Sequence, residues 1–114
     1  MNLRSLTDDE RKLLEALVSA APQMPPEWSD SLQVQTLNDG NMGSLRLVPK
    51  GDLSKDRSFG TPVSESCFTD ADGVEVIATL YLDREGQLFE MNVWKTDFAP
   101  LVSIPKNIAA RRTE

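Results

Sequence analysis

The chain contains no histidine, and its only cysteine is Cys67. Without histidine it lacks the most common general base and the most common metal ligand of proteins. A lone cysteine cannot form a disulfide within the chain, which fits a reducing compartment. We therefore expect a cytoplasmic protein that holds no cofactor or metal, and binding is favoured over catalysis.

Long hydrophobic runs are also missing. No apolar stretch approaches the roughly 20 residues that a helix needs to span a bilayer. At the N-terminus Asp8, Asp9 and Glu10 follow closely behind Arg4, whereas a secretory signal needs a basic region and then an apolar one. The sequence therefore predicts neither a membrane span nor a signal peptide.

Positive charge is scarce, because 12 lysine and arginine residues stand against 18 aspartate and glutamate residues, giving a formal net charge of −6. An acidic protein is repelled by nucleic-acid phosphates and by anionic lipid surfaces. Binding to nucleic acid and binding to membranes are therefore disfavoured. A basic protein is the class of partner that this charge permits.

The length of 114 residues, with 26% charged and 39% apolar residues, is typical of one globular domain. We assign residues 1–105 to that domain and residues 106–114 to a C-terminal tail. The tail contains Lys106, Arg111 and Arg112. It is expected to form a short helix or to fray.

The first predicted element is a helix over residues 8–21. Thr7 and Glu10 have the spacing of a capping box, in which each side chain accepts a hydrogen bond from the other residue's backbone amide. An apolar stripe at helical spacing follows, and Pro22 ends the helix. The stripe consists of Leu13, Leu14, Leu17, Val18 and Ala21.

The remaining pattern predicts strands. Residues 32–37 and 44–48 each form a short strand, with a turn at residues 38–43 between them, and residues 50–60 form a polar loop. Residues 62–95 form a three-stranded antiparallel meander, whose middle strand places an unbroken set of apolar residues at every second position. The predicted fold is α+β, with about five antiparallel strands and the helix packed on one face of the sheet. That face carries Val76, Leu80, Phe89 and Met91.

The loop lengths of the meander decide which side chains face the core, because a slip of one residue inverts a strand. Loops of two or four residues are predicted at residues 70–73 and around Gly86. They place Val63, Glu65 and Cys67 on the core face. Cys67 is then a small buried side chain. Glu65 is either a desolvated carboxylate with a functional role or an end-of-sheet residue that reaches water.

Residues 70–73 also resemble part of a calcium-binding loop. With Gly73 at the sixth loop position, however, Phe68 and Thr79 occupy the first and last positions, where such a loop needs carboxylates. A hairpin turn is therefore the better interpretation of this segment.

The second face of the meander is predicted to combine aromatic side chains with carboxylates. Tyrosine and tryptophan are common in protein interfaces, because one end of the ring is apolar and the other can hydrogen-bond. We take Glu75, Tyr81, Glu90 and Trp94 as the candidate partner-binding residues, with Ile77, Thr79, Leu88 and Asn92 beside them. The alternative is that the proline-rich connection at residues 23–30, or the tail, covers this face.

Three segments, DGNMGSL at residues 39–45, DADGVEV at residues 70–76 and LDREGQLFEMNVWKTDFAPL at residues 82–101, resemble a family of small bacterial proteins of unknown function. The resemblance implies no activity, cofactor or catalytic residue. The chain is also similar in type to the immunity proteins of bacterial toxin systems, because it is small and acidic and is predicted to pack a helix on an antiparallel sheet. The predicted function is a non-enzymatic protein-binding module, of which an immunity-type inhibitor of a basic toxin is one form. The alternative is a small enzyme or ligand-binding domain that uses the carboxylate of Glu65.

Overall fold

A computed structural model describes residues 3–21, 24–49 and 59–113 of the chain. Within these residues one helix packs on a six-stranded antiparallel sheet with the strand order β1-β2-β5-β4-β3-β6. The elements are α1 (Asp8–Ala20), β1 (Gln33–Thr36), β2 (Leu45–Val48), β3 (Phe59–Thr69), β4 (Glu75–Asp83), β5 (Leu88–Lys95) and β6 (Arg111–Arg112). The predicted α+β fold, its helix and its five strands are confirmed. The sixth strand, β6, is an addition that falls in the predicted tail.

The start of α1 is fixed by the capping box. The hydroxyl of Thr7 accepts a hydrogen bond from the amide of Glu10 at 3.2 Å, and the Glu10 carboxylate accepts one from the amide of Thr7 at 2.9 Å. Arg4 binds the same carboxylate through both terminal nitrogens, each at 2.8 Å. Although burial disfavours its ionisation, these hydrogen bonds lower the pKa of Glu10 below its usual value.

The hydrophobic core lies between α1 and the sheet. The helix packs against β3, β4 and β6. Burying one leucine-sized side chain stabilises the fold by about 1.5–3 kcal/mol relative to exposing it, so this face dominates the packing energy. The core side chains of α1 are Leu13, Leu14, Leu17 and Val18, and those of the meander include Val76, Ala78, Leu80, Met91 and Val93.

The first hairpin of the meander differs from the prediction. Asp70 and Val74 close a three-residue loop, with the Asp70 amide donating to the Val74 carbonyl at 2.9 Å and Gly73 at a φ of 85°. An odd-numbered loop reverses the face of every β3 side chain. Ser64, Ser66 and Phe68 therefore lie opposite Leu80, Ala78 and Val76 on the core side.

The prediction that Glu65 and Cys67 face the core is therefore wrong, since both lie on the outer face of the sheet. A register shift between Pro62 and Ser64 still allows Val63 to be buried, as predicted. Two serines stand on the core side instead, and both hydroxyls have partners: Ser64 Oγ donates to the Leu17 carbonyl at 2.7 Å and Ser66 Oγ to the Ala109 carbonyl at 2.6 Å.

The second hairpin also has a three-residue loop, at residues 84–86, closed by a hydrogen bond of 2.8 Å from the Asp83 amide to the Gln87 carbonyl. A bulge after Tyr81 compensates for it, so Leu80 lies opposite Met91 and both keep their predicted core face. The predictions for the two residues beside the bulge are wrong. Leu88, predicted on the outer face, joins the core, whereas Phe89, predicted on the core face, has its ring centroid 4.3 Å from the guanidinium carbon of Arg46.

Both edges of the sheet are partly covered by segments near the chain termini. On the β1 side Arg4 and Val34 exchange two backbone hydrogen bonds of 2.9 and 2.8 Å. On the β3 side β6 pairs Arg111 with Glu65 and Arg112 with Ser64. Exposed strand edges invite pairing with other chains, so these contacts protect the sheet.

The predicted polar loop at residues 50–60 lies outside the described residues up to position 58, and Phe59 and Gly60 begin β3. Among the helices of the described ranges, none has the length and apolar character that crossing a membrane requires.

Candidate protein-binding surface

The outer face of the sheet, opposite α1, carries all four candidate partner-binding residues, but they do not form one surface. One row runs across the strands through Arg46, Glu90 and Tyr81. A second row pairs Trp94 with Ile77, and Glu75 lies two positions before Ile77 on β4. Tyr81 is four positions from Ile77 along β4, a distance of about 13 Å at the usual strand rise.

The side chains of the row that contains Glu90 mostly contact other residues of the same chain. Glu90 is only 5% exposed, and its carboxylate accepts hydrogen bonds from Arg46 Nη2 and Asn92 Nδ2, both at 3.3 Å. Tyr81, the cross-strand neighbour of Glu90, is half-buried. These two residues therefore offer little free surface to a partner.

The Trp94 row opens to solvent. Trp94 is 40% exposed, and Phe98 is 69% exposed. The rings of Trp94 and Phe98 are 6.1 Å apart between centroids and inclined by 56°, a favourable aromatic arrangement. We call Trp94 and Phe98 the aromatic patch. Clustered exposed apolar side chains of this kind mark interaction sites more often than scattered single ones do.

The backbone at Phe98 is unusual. Its φ is 63°, in the left-handed region that favours glycine. The amide of Phe98 donates to the Lys95 carbonyl at 2.8 Å, and Asp97 Oδ1 accepts from the Ala99 amide at 3.0 Å, which holds this conformation. A bulky residue at such a φ costs about 1–2 kcal/mol. The fold thus carries strain at a mostly exposed aromatic residue.

A buried ionic cluster lies beneath the patch. Lys95, the last residue of β5, has a fully buried side chain. Its ammonium donates to Asp70 Oδ2 at 2.8 Å, to Asp72 Oδ2 at 2.5 Å and to the Pro100 carbonyl at 3.1 Å. An ammonium group has three protons to donate, so each one has a partner.

Asp70 is the centre of this cluster. Besides Lys95, its carboxylate accepts hydrogen bonds from the amides of Ala71 at 2.6 Å, Val102 at 2.8 Å and Ser103 at 3.0 Å. Burial disfavours the ionised form, but these donors outweigh it and hold the pKa of Asp70 well below its usual value. Burial likewise opposes the charge of Lys95, yet the two carboxylates raise its pKa above the usual value. The cluster is therefore ionic at neutral pH.

The cluster fixes residues 96–103, which we call the display segment because they carry Phe98. Lys95 holds the carbonyl of Pro100, and Asp70 holds the amides of Val102 and Ser103. A further backbone hydrogen bond of 3.0 Å joins the Leu101 amide to the Asn41 carbonyl. The aromatic patch is thus presented on a backbone with several long-range ties.

Sequence reasoning missed this cluster. It treated residues 70–73 only as a turn and Lys95 only as the end of a strand. The available signal was the strand register: Val76 pairs with Lys95, which brings the lysine beside the turn that carries both aspartates.

The charge around the patch is negative. In the adjacent ionic cluster two carboxylates, those of Asp70 and Asp72, share the single ammonium group of Lys95. Glu75 and Asp97 are exposed near the patch, and we call this pair the acidic rim.

Glu65 and Cys67 lie elsewhere on the outer face. Glu65 Oε1 binds Arg111 Nε at 2.8 Å and Arg111 Nη2 at 2.7 Å, so its carboxylate is paired, and Cys67 is exposed. In the ranges that the structure describes, no three cysteine or carboxylate side chains are grouped so that they could hold a metal ion.

The comparisons with known proteins bear on the family. The sequence profile of the family described as a domain of unknown function, DUF6984, matches residues 3–105. The chain belongs to this family. No curated protein and no solved structure matches the chain. Membership of DUF6984 confirms the resemblance to a family of unknown function and assigns no activity, so the surface itself must suggest one.

Proposed function

We propose that the chain is a non-enzymatic protein-binding module that contacts a basic protein through the aromatic patch and its acidic rim. The observation that carries the proposal is Phe98, an aromatic side chain that is 69% exposed although its φ of 63° is unfavourable. Strain that persists in a fold is common at functional sites. A side chain that strains the backbone and packs little is best explained by contacts outside its own chain.

The surroundings of the patch support the same proposal. Trp94 beside Phe98 provides the aromatic area that hot spots of protein interfaces favour. The display segment is already ordered by the Lys95 cluster, which lowers the entropic cost of binding. The acidic rim favours a cationic partner and would speed its association.

An immunity-type inhibitor of a basic toxin in the bacterial cytoplasm is the specific form that we propose. Small size, an acidic balance and a helix on an antiparallel sheet support it, and the free, exposed thiol of Cys67 fits a reducing compartment. A catalytic or ligand-binding role of Glu65 has less support, because Arg111 already occupies its carboxylate.

The decisive variant is Phe98→Gly. Glycine adopts the positive φ without strain, so the free energy of unfolding in urea should stay the same or rise by about 1 kcal/mol. Loss of the ring should weaken partner binding at least tenfold, which corresponds to about 1.4 kcal/mol. The partner would be captured from the native host with the wild-type chain, and both affinities then measured by calorimetry.

The matched control is Glu15→Gln, an exposed change on α1, which should alter neither stability nor affinity. Charge reversal by Glu75→Lys should lower the association rate and its sensitivity to salt, with little change in dissociation. Two results would overturn the proposal: equal affinity of Phe98→Gly and wild type, or a patch that is filled by a second copy. Sedimentation tests the latter, since the wild type would then be a dimer and Phe98→Gly a monomer.

A further inference from the structure

A cavity of about 210 Å³ lies at the other end of the meander, between the proline-rich connection and the loop of the second hairpin. Its apolar wall consists of Met24, Trp28, Pro49 and Leu88, and the acidic residues Glu27 and Asp30 also line it. A single water molecule needs only about 15 Å³. The space is therefore large enough for a short organic chain.

The connection that forms one wall is held in a defined shape. Successive backbone hydrogen bonds join Trp28 to Pro25 at 3.0 Å, Asp30 to Glu27 at 2.9 Å and Leu32 to Ser29 at 3.3 Å. Met24 and Trp28 also pack against the hydrophobic core. The cavity is thus largely formed before any ligand arrives, as is usual for binding sites of small molecules.

The two carboxylates are exposed, and within the described ranges no side chain forms an ion pair or hydrogen bond with either of them. Glu27 is adjacent in the chain to Trp28, which lines the same cavity, and the face of an indole ring attracts cations. An apolar slot with an aromatic ring and two carboxylates complements a positive charge carried on an apolar stem.

We propose that this cavity binds the side chain of a lysine residue of a peptide, which carries an ammonium group on an apolar stem. The apolar stem packs against Met24, Pro49 and Leu88, while the ammonium group lies by Trp28 and pairs with Glu27 and Asp30. Trp94 is six positions after Leu88 on β5, about 20 Å along the strand. The site is therefore distinct from the aromatic patch and does not depend on it.

A titration monitored by two-dimensional NMR of the ¹⁵N-labelled full chain tests this site. The probes are Nα-acetyl-lysine methylamide and its neutral analogue, Nα-acetyl-norleucine methylamide. The lysine probe should shift the indole N–H signal of Trp28 and the amide signals of Glu27, Asp30 and Gln87 saturably, and leave the Trp94 indole signal unchanged. The neutral probe should bind at least about fivefold more weakly, the scale of one exposed ionic or cation–π contact.

The double variant Glu27→Gln and Asp30→Asn should remove this preference for the lysine probe. Both side chains are exposed, so the fold should be retained, and the unchanged amide spectrum elsewhere verifies this. The matched control neutralises Asp9 and Glu15 on α1 and should bind the lysine probe like the wild type. The proposal is overturned if the shifts do not saturate, if both probes bind equally, or if the control loses as much affinity as the double variant.

Discussion

The two hairpin turns of the meander share the local sequence Asp-x-x-Gly, at residues 70–73 and 83–86, yet their aspartates do different things. Both loops have three residues and end in a glycine with positive φ, 85° at Gly73 and 83° at Gly86. Asp83 Oδ1 accepts from the amides of Glu85 and Gln87, both at 2.9 Å, and so stabilises its own turn. Asp70 accepts from groups that lie 25–33 residues away.

The difference shows how one turn sequence can serve two purposes. At the second hairpin the carboxylate replaces missing backbone acceptors within the loop, which is the usual role of aspartate in turns. At the first hairpin the carboxylate of Asp70, which is buried like that of Asp83, is instead paired with Lys95 and hydrogen-bonded to the display segment. The end of the meander that carries the aromatic patch is therefore the end with the long-range ties.

The largest expected effect separates the two aspartates. Asp70→Ala removes the buried carboxylate that pairs with Lys95, and breaking a buried ion pair in this way costs about 3–5 kcal/mol. Asp83→Ala removes hydrogen bonds to two turn amides and should cost about 1–2 kcal/mol. Urea unfolding of both variants measures the two losses. Equal losses would show that the long-range ties of Asp70 contribute nothing beyond its turn.

The pH dependence of stability should reveal the contribution of Asp70. The pKa of Asp70 in the folded chain lies below its usual value near 4 in the unfolded chain. The unfolded chain therefore takes up a proton first as the pH falls. The stability that Asp70 contributes is complete above the unfolded pKa and is lost as the pH falls toward the folded pKa.

Unfolding in urea at pH 7, 4 and 3 measures this contribution. Asp70→Asn should flatten the acid limb of the stability curve relative to the wild type. Glu10 and Asp72, whose pKa values are also lowered, are present in both chains, so they do not account for this difference. An acid limb that Asp70→Asn leaves unchanged would contradict the ionic cluster.

The meander also shows how far the sequence predicts the fold. The alternation around Val76, Ala78 and Leu80 identified the core face of β4, because burial of apolar side chains follows the strand period. The same approach failed for β3, where the buried residues are Ser64 and Ser66 and their hydroxyls bond to backbone carbonyls. A hydrophobic pattern does not predict the burial of polar side chains whose hydrogen-bond partners lie far away in the sequence.

The candidate surface could be predicted only in part. Trp94 and Glu75 were assigned to an exposed outer face, and the structure places them there. Phe98 was missed, because its exposure depends on a segment without regular structure. That segment is fixed by contacts between residues far apart in sequence, such as Asp70 with Ser103. The local sequence around either residue does not predict such a contact.

The smallest expected effect tests whether the two turns are locally equivalent. A Cβ added at Gly73 or at Gly86 would meet no atom within 4 Å, so alanine at either position adds only the strain of a positive φ. Each variant should therefore lose about 1 kcal/mol, and the two losses should agree within about 0.5 kcal/mol. The urea unfolding midpoints of the two variants and the wild type, measured under the same conditions, give this comparison. A clearly larger loss for Gly73→Ala would mean that strain in the first loop reaches Asp70 and Asp72, and that loop and ionic cluster unfold as one unit.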